Sequence, residues 1–182
     1  MEKETHETPP NRWQFQFAIR EPARLLACIW GGLALLLLLS FLLPNYSMAV
    51  LEMNGWDAFR MAFKDTENLR KMVDESSYLL MVIVPLAYLM VGLAAAVSAL
   101  RLWRGKGRQM AMFTTGIALV VWILALVGYF TIGANANQMP FFGKLMPKPI
   151  YGYHLALVWQ GLVCLTGIAY WALETRAGQS RA

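Results

Sequence analysis

Charge is missing where it matters most in this sequence. Four stretches, Leu25 to Leu43, Tyr78 to Leu100, Met110 to Ile132 and Gly152 to Leu173, contain no aspartate, glutamate, lysine or arginine. Proton relays and ion-coupled transport through those stretches therefore lose the residues they ordinarily use. Histidine is scarce too. Only His6 and His154 occur, and His6 lies in the polar tail MEKETHETPP, which excludes a haem held by two histidines of this chain. The two cysteines, Cys28 and Cys164, fall in different apolar stretches with no CxxC spacing. That excludes a thiol-exchange motif or a clustered metal site and leaves an expectation of two packed, reduced thiols. Neither a phosphate-cradling glycine motif nor an elbow serine occurs. With no catalytic constellation, neither an enzyme nor a bound cofactor or metal is expected.

Apolar side chains are what the chain has in excess. They make up 58% of its 182 residues against 15% charged, well above the apolar share of a soluble domain. Each uncharged stretch is close to the ~20 residues that cross ~30 Å of hydrocarbon as a helix. A helix satisfies its own backbone in lipid, so the expected fold is an all-α membrane protein, a four-transmembrane-helix bundle. More than twenty residues precede the first stretch and LSFLLPNYS lacks a small-residue cleavage pattern, so it is read as a permanent span. The expected organisation is a tail and interfacial segment over 1–21, a membrane domain over 22–174 with outer loops 44–77 and 133–151, and a tail over 175–182.

Basic residues orient the spans. With both termini in the cytoplasm, that side carries ten Lys and Arg and the other six; the acids divide five and six. The tight turn RLWRGKGR weighs most, because short loops dominate the positive-inside preference. The expected location is the plasma membrane, the inner one of a bacterium. The net charge of +5 is then anchoring charge with attraction to anionic membrane lipids, and no nucleic acid is expected as a partner. Trp13, Trp30, Trp103 and Trp171 near the inner interface, with Tyr46, Trp56, Tyr129, Tyr151 and Tyr153 near the outer one, agree with this placement.

Between the first two spans stands LPNYSMAVLEMNGWDAFRMAF. Pro44 ends the first span, Tyr46 to Met53 has strand-compatible composition, and Asn54-Gly55 is a turn signal. From Trp56 the period becomes helical. Asn54 and Asp57 resemble a capping box, and Phe59, Ala62, Phe63, Thr66, Leu69, Met72 and Val73 recur on one side up to Asp74. Such a helix either caps the bundle, lies in the headgroups, or is presented to a partner subunit; its mixed charge favours the cap. In the second outer loop Pro140, Gly143, Pro147 and Pro149 exclude a long helix, while Met139, Phe141, Phe142, Leu145, Met146 and Ile150 are too apolar for a solvated linker. Together the loops predict a small extracytoplasmic cap of the amphipathic helix and one or two short strands, with Trp56, Phe59, Phe63, Phe141 and Phe142 as packing or interaction residues. At the amino end, Trp13, Phe15, Phe17 and Ile19 alternate, as in an extended interfacial segment or a strand added to a partner's sheet.

His154 opens the fourth span, with Gln160 about two turns on and roughly on the same side. The pair are the candidate cofactor-binding residues, for a quinone, a pigment or a lipophilic small molecule. The competing readings are a headgroup-level histidine bonded to a loop carbonyl and an amide bonded across helices. Gly92 and Ala96 make a small-xxx-small face on the second span, and Pro85 kinks it and frees a carbonyl.

The stretch LPNYSMAVLEMNGWDAF, the arginine-rich turn and YGYHLALVWQGLV together resemble a loose pattern of small uncharacterised bacterial four-helix membrane proteins. The plan of four spans, inner termini and a larger first outer loop is similar to the claudin-like architecture. The first loop carries neither the paired cysteines nor the Gly-Leu-Trp motif of claudins, so the resemblance implies topology and no functional residue. The expected function is a non-enzymatic accessory or structural subunit that packs beside larger membrane proteins or self-associates. The alternatives are a cofactor-handling subunit using His154 and, more weakly, a small-molecule transporter.

Overall fold

A computed structural model describes residues 22–48, 51–63, 75–136 and 148–179. The alternating amino-terminal segment, the 64–74 part of the amphipathic pattern, and Phe141 and Phe142 lie outside the described residues. The elements are α1 (Pro22–Leu42), β1 (Pro44–Met48), β2 (Leu51–Asn54), α2 (Gly55–Phe63), α3 (Glu75–Trp103), α4 (Arg108–Ala136), β3 (Lys148–Pro149) and α5 (Tyr151–Gln179). The structure is mostly helical, and α1, α3, α4 and α5 are each long and apolar enough to cross a membrane.

Local chemistry sets their ends. Pro22 opens α1, where a missing amide costs nothing, and Pro44 follows its last turn. Between α3 and α4 the chain reverses in a few residues because Gly105 and Gly107 take φ of +69° and +117°, a region open to glycine. The backbone bonds from Gly105 to Leu102 (3.0 Å) and from Lys106 to Arg101 (2.9 Å) close the end of α3.

The four long helices form a ring in which α1 packs on α3 and α5, and α4 on α3 and α5. On α4 the buried positions include Ala111, Ala118 and Ala125, seven residues apart, together with Thr114 and Gly128. This heptad of small side chains lets α4 approach its neighbours closely, the usual means of helix association where hydrophobicity does not distinguish protein from lipid. Gly92 serves the same end on α3: a Cβ there would lie 3.3 Å from Leu37 of α1. The Gly92 and Ala96 face is thus used inside the chain, with Ala96 half-buried against the core.

At one end of the ring, here named the sheet end, the strands pair in the order β2-β1-β3, antiparallel throughout. The region read as one strand from Tyr46 to Met53 is two, a hairpin whose arms are β1 and β2. Asn54-Gly55 consequently starts a helix instead of turning the chain. The capping box is present: the Asp57 amide donates to Asn54 Oδ1 (3.0 Å) and the Asn54 amide to Asp57 Oδ2 (3.1 Å). Gly55 is required because a Cβ would fall on the Phe41 ring and its carbonyl oxygen.

The buried side of α2 differs from the expected one. Ala58 and Met61 face the bundle, and the Tyr78 hydroxyl donates to the Met61 carbonyl (3.2 Å). Trp56 and Phe59 are exposed, their rings stacked at 5.3 Å, with the Arg60 guanidinium 5.9 Å from the Trp56 ring. The 3.6-residue period puts 58 and 61 opposite 56 and 59, and the smaller, more flexible pair fits the close gap beside α3. Phe63 ends α2.

Candidate functional site

Polar side chains inside the ring concentrate at the sheet end, and Asn45 is their centre. A bulge between Pro44 and Tyr46 interrupts the β1 pairing and turns Asn45 into the bundle, the kind of re-aiming that bulges produce. Asn45 is fully buried. Its Nδ2 donates to the carbonyls of Leu43 (2.9 Å) and Ser40 (3.4 Å), and its Oδ1 accepts from the Tyr88 hydroxyl (2.7 Å). Its own carbonyl accepts from the Ile150 amide (2.9 Å). One residue thereby ties the end of α1, the middle of α3 and the approach to α5.

Four more aromatic side chains complete the cluster. The Tyr46 hydroxyl donates to the Leu80 carbonyl of α3 (3.4 Å), next to the Met81 carbonyl that loses its helical donor because Pro85 has no amide. The Tyr153 hydroxyl donates to the Ala125 carbonyl of α4 (2.5 Å). Tyr153 sits 5.4 Å from Tyr46 and 6.2 Å from Tyr129 between ring centres, and Phe41 meets Tyr88 edge-on at 6.4 Å. These spacings are those of favourable aromatic pairs. Gly152 lets the group close: a Cβ there would fall on the Pro44 carbonyl.

Burial, with Tyr153 and Tyr88 as minor contributors, holds the Tyr46 phenol well above its ordinary range. Above about pH 10 the unfolded chain releases this proton while the folded one keeps it, so stability falls as pH rises, by up to ~1.4 kcal/mol per pH unit for each such group. Thermal unfolding in detergent should therefore show a midpoint that declines from pH 9 to 11, and less steeply in Tyr46→Phe; equal slopes would contradict this.

His154 and Gln160 do not converge. His154 is exposed on the outer side of α5 with its ring 5.4 Å from Tyr129, nearly perpendicular to it. Gln160 is buried on the inner side, its Nε2 3.4 Å from the Ala118 carbonyl of α4. Six residues rotate a helix by ~240° after whole turns are removed, which separates the two side chains. Gln160 acts across helices, and its Oε1 has no hydrogen-bond partner among the described residues.

Other ties were not picked out from the sequence. Trp30 donates to the Thr166 hydroxyl (3.0 Å), Trp122 to the Leu157 carbonyl (3.0 Å), and Ser98 and Thr114 share a hydrogen bond (2.8 Å). At the turn end, Arg108 is ion-paired with Glu174, which also accepts from the Tyr170 hydroxyl (2.6 Å). A hydroxyl or amide recurring inside an uncharged stretch was the available signal for these. Cys28 is exposed where a packed thiol was expected, because its position on α1 faces away from α3 and α5, whereas Cys164 is buried and both are free. Among the described residues no three His, Cys, Asp or Glu gather as metal ligands would. Chemically, the cluster is a set of neutral donors spent on backbone carbonyls and, for Tyr88, on the Asn45 side chain, suited to holding helices in register. Compared with known protein families, curated proteins and solved structures, the chain matches none.

Proposed function

We propose that the chain is a non-enzymatic accessory or structural subunit of the bacterial inner membrane that packs beside a larger membrane protein. The observation that carries the reading is a contrast between glycines. Gly92, Gly152 and Gly167 each face a neighbouring element of the chain, but Gly31 and Gly32 of α1 have nothing within 4 Å of where a Cβ would be. Together with exposed Cys28, one turn before Gly32, they make a small-residue stretch of α1 that the described chain leaves uncovered, and a transmembrane helix of a partner can approach such a stretch closely. The sheet and α2 lie outside the cytoplasm in this proposal. Among the described residues the turn end carries Arg24, Arg101, Arg104, Lys106, Arg108 and Arg176 against Glu174, and the sheet end Arg60 and Lys148 against Glu52, Asp57 and Glu75.

The test is purification from native membranes in mild detergent, with native mass determination and an absorption spectrum of the same fraction. A stoichiometric larger partner is expected, lost in Gly32→Leu while the variant's unfolding midpoint stays unchanged. A lone chain carrying a quinone or pigment would sink the reading in favour of a ligand against exposed His154.

A further inference from the structure

The least covered helix is α4: 22% of its apolar window is buried, against 44, 44 and 39% for α1, α3 and α5. Its outward side is grooved. Met112, Phe113, Gly116, Ile117, Val120 and Val121 line an open groove of about 550 Å³, and a smaller one of about 240 Å³ on the α5 side shares Met112 and Gly116 with it. No atom comes within 4 Å of a Cβ built on Gly116, so the floor of the groove is free. From Met112 to Val121 the groove runs ~14 Å along the helix, close to the ~15 Å depth of one leaflet.

At the upper end of this groove, one turn before Met112, stands the densest positive charge of the described chain. Arg101, Arg104 and Lys106 are exposed on the glycine turn, and no ion pair is formed by them among the described residues. Arg108 is held in place: the Tyr170 hydroxyl fixes Glu174, and Glu174 fixes Arg108 through its Nε. A guanidinium has five N–H donors, more than one carboxylate can engage, so Arg108 keeps donors for a second anion. Trp103 and Trp171, both exposed, bracket the same level, as rings at an interface do.

We propose that this face binds an anionic phospholipid, with one acyl chain in the α4 groove and the phosphate-bearing headgroup on Arg104, Lys106 and Arg108. An apolar slot one leaflet deep that ends at cations matches a lipid in both shape and charge. A partner's apolar helix would leave those cations without counter-charge. The site is separate from the small-residue stretch of α1, so the two proposals stand or fall independently.

The experiment uses the full chain in detergent, titrated with phosphatidylglycerol or phosphatidylcholine of identical brominated acyl chains and followed by tryptophan quenching and native mass spectrometry. Phosphatidylglycerol should bind more tightly by roughly thirty-fold for the two unbalanced cations, Arg104 and Lys106, because Glu174 offsets the charge of Arg108 and leaves it to hydrogen-bond the phosphate that both lipids carry. R104Q/K106Q should reduce it to the phosphatidylcholine level, and Gly116→Leu should weaken binding of both lipids by filling the groove without lowering the unfolding midpoint. Equal binding of the two lipids would overturn the site. So would a preference lost in R104Q/K106Q while Gly116→Leu leaves the affinities of both lipids unchanged, because that is attraction to a charged surface with no groove involved.

Discussion

Replacing Asn45 with leucine should destabilise the protein by about 2–4 kcal/mol. Leucine has nearly the same bulk, so packing is retained and the loss reads the hydrogen bonds. Two backbone carbonyls, of Leu43 and Ser40, lose their donor, and the buried Tyr88 hydroxyl loses its acceptor. Each buried polar group left unpaired costs ~1–3 kcal/mol. Interhelical bonds deep in a bilayer average only ~0.6 kcal/mol because the separated helices find other partners. Asn45 lies beyond the end of α1, however, and the buried carbonyls it serves have no such substitute nearby. Tyr88→Phe alone should cost less, since it removes donor and hydroxyl together and orphans only Asn45 Oδ1. A double-mutant cycle with Asn45→Leu should give a coupling of ~0.5–3 kcal/mol. Reversible unfolding in mixed micelles measures all three; a loss below ~0.5 kcal/mol for Asn45→Leu would show that the cluster carries no weight.

The second large effect is expected at Gly152. A side chain there meets the Pro44 carbonyl, and a backbone group cannot swing aside as a flexible side chain can. Gly152→Val should lower stability by about 1–3 kcal/mol, the usual range for overpacking. Gly152→Ala should lose less, because replacing glycine by alanine within a helix recovers up to ~1 kcal/mol. The near-ultraviolet circular dichroism of Tyr46 and Tyr153 should weaken in Gly152→Val, since pushing β1 from α5 separates their rings. Gly31→Ala, at a position with open space around it, is the control and should not be destabilised. If Gly152→Val matched that control, β1 would not rest on α5 as described.

How much of this was readable beforehand follows from the range of the forces involved. The four spans are encoded residue by residue in hydropathy, and their ends in prolines, glycines and a capping box, all of which act within a few positions. The heptad Ala111, Ala118 and Ala125 is equally present in the sequence but does not stand out there, since alanine adds little to an apolar pattern. Asn45 was not recognisable, because its role depends on a bulge and on Tyr88, forty-three positions away. His154 and Gln160 are close to two turns apart, but the rotation that remains after whole turns puts one on the outer side of α5 and the other on the inner side. The inverted face of α2 came from expecting the larger rings inside, when a narrow gap accepts Ala58 and Met61 instead.

The hydrogen bonds of β3 to β1, with that from Ile150 to Asn45, have one more consequence. They join the first long helix to the last, so the ring is held at a point where the chain does not connect it. The covalent link at Gly105 is then dispensable once the helices are in place. A chain cut within that turn would leave two helical hairpins, each able to insert by itself, and the sheet together with the α3 and α4 seam would recombine them. The molecule is in this sense already two halves, and co-expression as two fragments should rebuild it.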